Sequence, residues 1–212
     1  MDKNTLTRAN ILKGAKEVFK EKGYRNASMQ DIADATGISK SLLKYYFPRK
    51  ENFSEVIMHD YMENIRNYVK SIEEVKDDAV IAYILTMLIY YNNIYTNEPI
   101  RRFNSEALLL FKGSDAGKGN NMDGIYNEII KQYNLNLTEK LFKIRKIQIM
   151  GAQVYLLEAA NKDESISDKD RFEAAIYSTL TLLGVSTFIY NRGMEKANEI
   201  FEKGSWEKFS ML

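Results

Sequence analysis

The chain of 212 residues has no cysteine and only one histidine, His59. The absence of cysteine excludes disulfides, thiolate catalysis and cysteine-held zinc, and a single histidine cannot build a histidine-rich metal site. No pair of carboxylates and no nucleophile–base pair stands out along the sequence. We therefore expect no catalytic residues, no metal site and no cofactor, and a protein that is not an enzyme.

Long apolar runs are also scarce. The most apolar window, 79–95, is shorter than a bilayer-spanning helix requires, and it contains two asparagines, Asn92 and Asn93. The N-terminal stretch MDKNTLTRAN is polar and has no apolar signal core. These features predict a cytoplasmic protein that has no membrane partner.

Neither sign of charge dominates, since the chain has 30 basic and 29 acidic side chains. The two signs are nevertheless distributed unevenly. Residues 1–50 contain eleven basic and five acidic side chains, whereas the rest of the chain carries a net charge of −5. A basic N-terminal part attached to an acidic remainder is typical of a protein that turns one end toward a polyanion such as nucleic acid.

Residues 28–50, SMQDIADATGISKSLLKYYFPRK, predict two short helices joined by a tight turn. Ser28 is placed to cap the first helix, with Asp31 three residues later as the partner in a capping box. Gly37 supplies the left-handed backbone that ends this helix, and Ser39 caps the next one. The second helix ends before a proline. The pattern is that of a helix-turn-helix.

The second helix of this pair carries a polar, exposed face. Its residues Lys40, Ser41, Lys44 and Tyr45 provide cations, a hydroxyl and a phenol, which suit a major groove walled by phosphates. A generic helical hairpin with a solvated basic face would show the same pattern. The motif alone leaves both interpretations open.

A longer stretch that begins at Ile11, ILKGAKEVFKEKGYRNASMQDIADATGISKSLLKYYFPRKENF, closely resembles the N-terminal domain of TetR-family transcriptional repressors. The resemblance covers about residues 8–55 and rests on the first helix, the Gly23-Tyr24 turn, the helix-turn-helix and the pair Lys50-Glu51. It implies a DNA-binding regulator, most simply a repressor. The residues it implies for DNA binding are Ser28, Ser39, Lys40, Ser41, Lys44, Tyr45, Tyr46 and Lys50.

The family pattern suggests roles for some of these side chains. Ser28, Ser39 and Tyr45 suit phosphate oxygens, and Lys50 resembles a backbone anchor at the start of a long helix. The chain departs from the pattern at Ser41-Leu42, at Lys44 and at Arg49. Whether Lys44 reaches a base edge or a phosphate is left open, so the operator sequence does not follow.

The predicted fold is all-α, with about nine or ten helices. We expect a three-helix DNA-binding domain at 1–48 and a larger bundle for ligand binding and dimerisation at 49–212. Two long apolar stretches near 141–160 and 170–190 each contain one glycine, Gly151 and Gly184, that interrupts the predicted helix. Such a glycine costs up to about 1 kcal/mol, which close helix packing can offset. The family builds its dimer interface from this region, so we predict a homodimer here.

The resemblance also implies a ligand-controlled mechanism. A dimer would place two recognition helices about 34–36 Å apart on a palindromic operator. A small apolar or aromatic effector would release the dimer from the operator. The predicted lining of the effector pocket consists of Met87, Tyr91, Phe103 and Met150. The alternative is a regulator of the same fold whose C-terminal domain responds to a protein partner. An enzyme is the third and weakest hypothesis.

Overall fold

The computed structural model describes residues 3–110, 122–160, 162–163 and 165–212. Within these ranges the fold is all-helical, with ten helices and no strand, as predicted. The predicted loop at 113–121 and Phe111 lie outside the described residues. The helices are α1 (Lys3–Asn26), α2 (Met29–Thr36), α3 (Lys40–Tyr46), α4 (Glu51–Lys70), α5 (Ala79–Thr96), α6 (Glu98–Leu110), α7 (Asp123–Gln132), α8 (Glu139–Ala160), α9 (Asp168–Leu183) and α10 (Thr187–Lys203).

Helix α1 supports the helix-turn-helix and breaks at its end. Gly23 has φ 76° and ψ 163°, so regular helix stops there even though helical bonding resumes over the next residues. This agrees with the turn predicted at Gly23-Tyr24. Gly14 lets α2 approach closely, because a Cβ on Gly14 would lie 2.3 Å from Cγ2 of Thr36.

Helix α5 is the centre of the C-terminal bundle. Asp78 caps it by accepting hydrogen bonds from the backbone N–H groups of Val80 and Ile81. At 18 residues and a mean hydropathy of 1.2, α5 is long and apolar enough to cross a membrane, which corrects our expectation that no segment reaches that length. However, 67% of it is buried inside the protein, as befits the core helix of a bundle.

The predicted helix near 170–190 is wrong, because the chain ends one helix and starts another within this range. Gly184 has φ 98° and caps the C-terminus of α9, so it is not a mid-helix residue. Ser186 then caps α10 by accepting a hydrogen bond from the N–H of Ile189 at 3.3 Å. Helix α10 ends at Lys203, and residues 204–212 form a non-helical tail.

Pro99 lies in the first turn of α6, where its missing N–H is not needed. Helix α6 begins directly after Asn97, which is also the C-cap of α5. The two helices thus form a tight corner, and α6 runs back to pack against α1.

Candidate nucleic-acid interface

The helix-turn-helix is held by local side-chain caps, as predicted. Ser28 and Asp31 form a reciprocal capping box: the N–H of Asp31 donates to Oγ of Ser28 at 3.1 Å, and the N–H of Ser28 donates to Asp31 Oδ2 at 2.8 Å. Gly37 takes the left-handed conformation at φ 66°. Ser39 caps α3 by accepting from the N–H of Leu42 at 3.2 Å. The start and orientation of α3 therefore follow from residues that the sequence singles out.

Asp31 has a second function, which is to tie α2 to α1. The ammonium of Lys22 donates to Asp31 Oδ1 at 2.6 Å. This bond, followed by the bonds from Ser28, holds the pKa of the Asp31 carboxyl far below its usual range. Lys22 is one of the eleven N-terminal basic residues, yet its charge is paired within the domain.

Helix α3 buries one face and exposes the other. Leu43 is fully buried, and Phe47 at its end stacks on Phe53 of α4 with ring centroids 4.0 Å apart. The opposite face is exposed and contains the predicted contact residues. Its members are Ser39, Lys40, Ser41, Lys44 and Tyr45, and we call them the α3 surface.

Within the α3 surface, the hydroxyl groups of Ser39 and Ser41 are 3.0 Å apart. Tyr45 is 76% exposed, the highest exposure among the large apolar and aromatic side chains of the described residues. Its ring is therefore available to contact a partner. Tyr46 points elsewhere: its hydroxyl donates to Oδ1 of Asn4 at 3.0 Å, which joins α3 to the start of α1.

Lys50, which the resemblance implies as a contact to the DNA backbone, is instead directed into the protein. Its ammonium donates to the carbonyl oxygens of Tyr24 and Ala27, both at 2.8 Å, and to that of Arg25 at 3.3 Å. The ammonium also lies 4.7 Å from the centroid of the Tyr24 ring. Partial burial lowers the pKa of Lys50. Its three N–H donors are occupied by the turn between α1 and α2, which indicates a positioning residue.

The same turn is held from the other side by α6. The guanidinium of Arg102 donates to the carbonyl oxygens of Lys20 at 2.9 Å and Glu21 at 3.2 Å. The carboxylate of Glu106 accepts from the N–H of Arg25 at 2.6 Å. We call residues 20–27, with their contacts to α4 and α6, the junction. Sequence reasoning missed it, because Arg102 and Glu106 resemble ordinary surface charges of a helix.

The predicted ligand-lining residues fall into two places. Met87 and Tyr91 lie on one face of α5 together with Tyr83, at four-residue spacing. Tyr91 stacks on Phe172 with centroids 3.9 Å apart. Phe103, in contrast, is fully buried in the junction.

The aromatic contacts of Phe103 are made with the N-terminal domain. Its ring centroid lies 5.4 Å from that of Phe19 and 5.7 Å from that of Tyr24. Met150 of α8 is half-buried. The structure thus places Met87 and Tyr91 on one face of α5 and Phe103 in the junction.

Within the part of the chain that the structure describes, no three histidine, cysteine, aspartate or glutamate side chains come together as a metal site. The chemistry offered by the α3 surface is instead hydrogen bonding by hydroxyls and attraction by lysine ammonium groups. Both act on phosphate oxygens and on base edges in a DNA groove.

Comparison with known sequences connects this geometry to a family. The family model described as bacterial regulatory proteins, tetR family, matches residues 11–56, which include α2, α3 and the first turns of α4. An uncharacterized HTH-type transcriptional regulator, YuxN of Bacillus subtilis (strain 168), is 31% identical over 84 residues. This match covers 40% of the chain but only 29% of that protein.

A second relative is similar along most of its length. The biofilm operon icaADBC HTH-type negative transcriptional regulator IcaR of Staphylococcus aureus (strain Newman) is 24% identical over 184 residues, covering 81% of the chain and 96% of that protein. Among solved structures, RolR in complex with resorcinol has a TM-score of 0.60 at 15% identity, covering 92% of this chain and 94% of that chain. A TetR transcriptional regulator from Rhodococcus sp. RHA1 also has a TM-score of 0.60, at 13% identity, covering 86% and 98%.

Proposed function

We propose that this chain, a TetR-family DNA-binding transcriptional regulator, is a repressor that binds a palindromic operator as a homodimer. A small, largely hydrophobic ligand in its C-terminal part would release it. The observation that carries the proposal is the α3 surface. It is exposed, and the helix that bears it is capped by Ser39 and packed on the core through Leu43. The similarity to IcaR, a negative regulator, supports the repressor assignment. We place the protein in the cytoplasm, where its DNA target is found.

The α3 surface would enter the major groove. In a helix-turn-helix the N-terminal residues of the second helix reach the base edges, which places Lys40 and Ser41 nearest to them. Lys44 lies one turn further along the same face, and Tyr45 is positioned to reach the phosphate backbone. Ser28 is exposed at the N-terminus of α2, but its hydroxyl donates to Asp31 Oδ2 at 2.6 Å, so in this proposal it acts by capping α2. Tyr46 and Lys50 act in this proposal by positioning α3, since their polar atoms are bonded within the domain.

Dimerisation is proposed to occur through an exposed apolar stripe on α8. Ile147 is 61% exposed and Tyr155 is 73% exposed, and Ile144 and Gly151 lie on the same face at helical spacing. A Cβ on Gly151 would meet no atom of the described residues within 4 Å beyond its own helix backbone and chain neighbours, so no packing contact among these residues requires a glycine here. A second copy packed closely against Gly151 would explain it. Tyr177 of α9 is also exposed and extends the stripe.

The α8 stripe is therefore the surface that we assign to the dimer, together with α9. The predicted range 170–190 contributes through α9 and not as one continuous helix. We retain the division of the chain into a DNA-binding part at 1–48 and a ligand-binding and dimerisation part at 49–212. Lys50 and α4 would then be the first elements of the second part and would hold the first.

The ligand is proposed to bind along the face of α5 that carries Met87 and Tyr91. Tyr83, one turn before Met87, has a fully buried hydroxyl that makes no hydrogen bond, although Thr179 and Tyr126 lie beside it. Burial raises the pKa of Tyr83 well above its usual value, so the phenol keeps its proton and can donate. A ligand that displaces these neighbours would offer this donor an oxygen. The RolR structure contains resorcinol, a small aromatic molecule that carries such oxygens.

The junction provides a physical route from this ligand to the DNA. Helix α6 follows α5 directly, and its Arg102 and Glu106 hold the turn from which α2 starts. A ligand that shifts α6 would move this turn and hence α3. Allosteric couplings of about 1–3 kcal/mol change affinity roughly 5- to 150-fold, which is enough to release an operator.

A screen for stabilising ligands tests the effector part of the proposal. An aromatic compound that saturates the site at about 100 times its Kd should stabilise the protein by about 2.7 kcal/mol and raise its melting temperature by several degrees. We expect resorcinol-like compounds to act on the unmodified protein but not on Met87→Trp, which fills the space, or Tyr91→Ala, which removes a wall. Tyr45→Ala, on the distant α3 surface, should keep the full shift. If no compound among aromatic and cationic hydrophobic ones shifts the melting temperature, the alternative of a protein partner replaces the ligand.

Replacing Lys44 by alanine tests the DNA part. We expect Lys44→Ala to weaken binding and to change the preferred base pair in each half-site, with a cost of about 1–3 kcal/mol at that pair. The measurement is binding of a library of operator variants by fluorescence anisotropy. Lys131→Ala, at an exposed position of α7, is the matched control and should leave the affinity and the preferred base pair unchanged. A uniform loss across all sequences would make Lys44 a phosphate contact and contradict base reading.

A further inference from the structure

A cleft separates α4 from the C-terminal tail, well away from the α3 surface. Its volume is about 390 Å³, and its lining residues are Tyr61, Asn64, Tyr68, Lys208, Phe209 and Ser210. The three residues from α4 lie on one face of that helix, and the three others are consecutive residues of the tail. The volume falls within the range of small-molecule sites and far exceeds the space of one water molecule.

The tail that forms one wall is well anchored. The amide of Asn93 on α5 donates to the carbonyl oxygen of Phe209 at 3.0 Å. The indole of Trp206 donates to the carbonyl oxygen of Phe201 at 2.9 Å, and Met211 is fully buried. The cleft is therefore bounded by two fixed elements, and its shape belongs to the folded chain.

The hydroxyl of Tyr61 lies behind the wall of the cleft. It has almost no accessible surface, so a molecule in the cleft does not reach it. Tyr61 as a whole is only 3% exposed. Burial raises its pKa to about 12, so the group is a neutral phenol over the physiological range and adds no charge to the cleft.

The charge in the cleft has one sign. Lys208 is the single charged residue among the lining residues, and its ammonium lies 3.4 Å from the centroid of the Tyr68 ring. The ring of Phe209 is 5.4 Å from that of Tyr68. The aromatic face already holds a cation, so a second cation would be repelled while an anion would be attracted.

We propose that the cleft between α4 and the tail binds a small aromatic carboxylate. The aromatic ring would pack against Tyr68 and Phe209, and the carboxylate would pair with Lys208. Asn64 and Ser210 offer further hydrogen bonds at the rim. This site is distinct from the α5 face around Met87 and Tyr91, and its existence does not depend on the DNA-binding function.

The single tryptophan allows a direct test. Trp206 lies next to the cleft, with its ring centroid 6.1 Å from that of Tyr68, so its fluorescence should report occupancy. The probes are phenylacetate, its neutral amide phenylacetamide and the cation 2-phenylethylammonium, which have the same ring and similar size. We expect saturable binding of phenylacetate, about fivefold weaker binding of the amide, as for one exposed ion pair, and no binding of the cation in the same range.

Variants of the full chain separate the contributions. Lys208→Gln should bind phenylacetate no better than phenylacetamide. Tyr61→Phe removes a hydroxyl that the cleft does not expose, so it should leave the affinities for the acid and the amide unchanged. Lys131→Gln, a distant lysine, is the control and should behave like the unmodified protein.

Three results would overturn the proposal. These are the absence of saturable phenylacetate binding, equal or tighter binding of the cation, and phenylacetate binding that survives Lys208→Gln unchanged. None of them bears on operator binding, which is measured separately. Failure of the cleft therefore leaves the DNA-binding proposal intact, and the reverse also holds.

Discussion

Ile147→Asp is expected to convert the protein from a dimer to a monomer and to weaken binding to a palindromic operator by about a hundredfold or more. Ile147 is 61% exposed at the centre of the α8 stripe, so the substitution leaves the subunit core untouched. At a dimer interface it would place two buried, unpaired carboxylates against apolar side chains. A monomer loses the second DNA contact, and linked sites commonly gain 10²- to 10⁴-fold in avidity.

Light scattering and operator titration measure the two effects together. Asn127→Asp adds the same charge to an exposed position of α7 and should leave both mass and affinity unchanged. Gly151→Leu provides a second test of the same surface. A leucine side chain has open space in the single subunit, so the fold should persist while the dimer is lost. If either α8 variant stays dimeric and binds the operator normally, the interface lies elsewhere.

Lys50→Met is expected to lower the melting temperature by several degrees without changing how DNA binding depends on salt. Methionine keeps the apolar stem of the side chain but removes the ammonium that holds three carbonyl oxygens of the turn before α2. Bonds from a charged donor contribute about 1.5–3 kcal/mol each at most, and partial exposure reduces this, so we expect a loss of about 2–3 kcal/mol in all. Operator affinity should fall because α2 and α3 are held less firmly.

The matched control is Lys40→Met on the α3 surface. There the lysine is exposed, and we expect a small change in stability of less than about 0.5 kcal/mol. The slope of log affinity against log salt should become shallower by roughly 0.9 if Lys40 contacts one phosphate. The opposite pattern would contradict this assignment. If Lys50→Met remains stable and makes the slope of log affinity against log salt shallower by about one, Lys50 contacts the DNA backbone, as the family resemblance implies.

Local features of the N-terminal domain could be predicted because short-range chemistry determines them. Ser28, Asp31, Gly37 and Ser39 act within four residues of themselves, through caps and a left-handed turn. Their spacing in the sequence is therefore nearly the whole of the geometry. The exposed face of α3 follows in the same way, once Leu43 is assigned to the core.

Long-range relations could not be predicted from the same patterns. Lys50 resembles a free cation in the sequence, but carbonyl groups some 25 residues earlier bind it, and backbone carbonyls leave no trace in a sequence. Phe103 is an aromatic residue of the kind that often lines a ligand pocket, but its ring contacts Phe19 and Tyr24 of the first domain. Gly184 was indistinguishable from Gly151 as a glycine interrupting an apolar helix. Only the backbone shows that one ends its helix while the other continues it.

Selection of binding sites from random double-stranded DNA tests the central claim most directly. The purified full-length protein is incubated with the pool, and bound sequences are enriched and read. The account predicts one enriched motif with two inverted half-sites whose centres are one helical turn or a multiple apart, because a symmetric dimer presents two copies of α3. The double variant Lys40→Ala, Lys44→Ala should lose this enrichment while remaining a folded dimer. Absence of any enriched motif, a single half-site, or a direct repeat would contradict the proposal of a dimeric repressor on a palindromic operator.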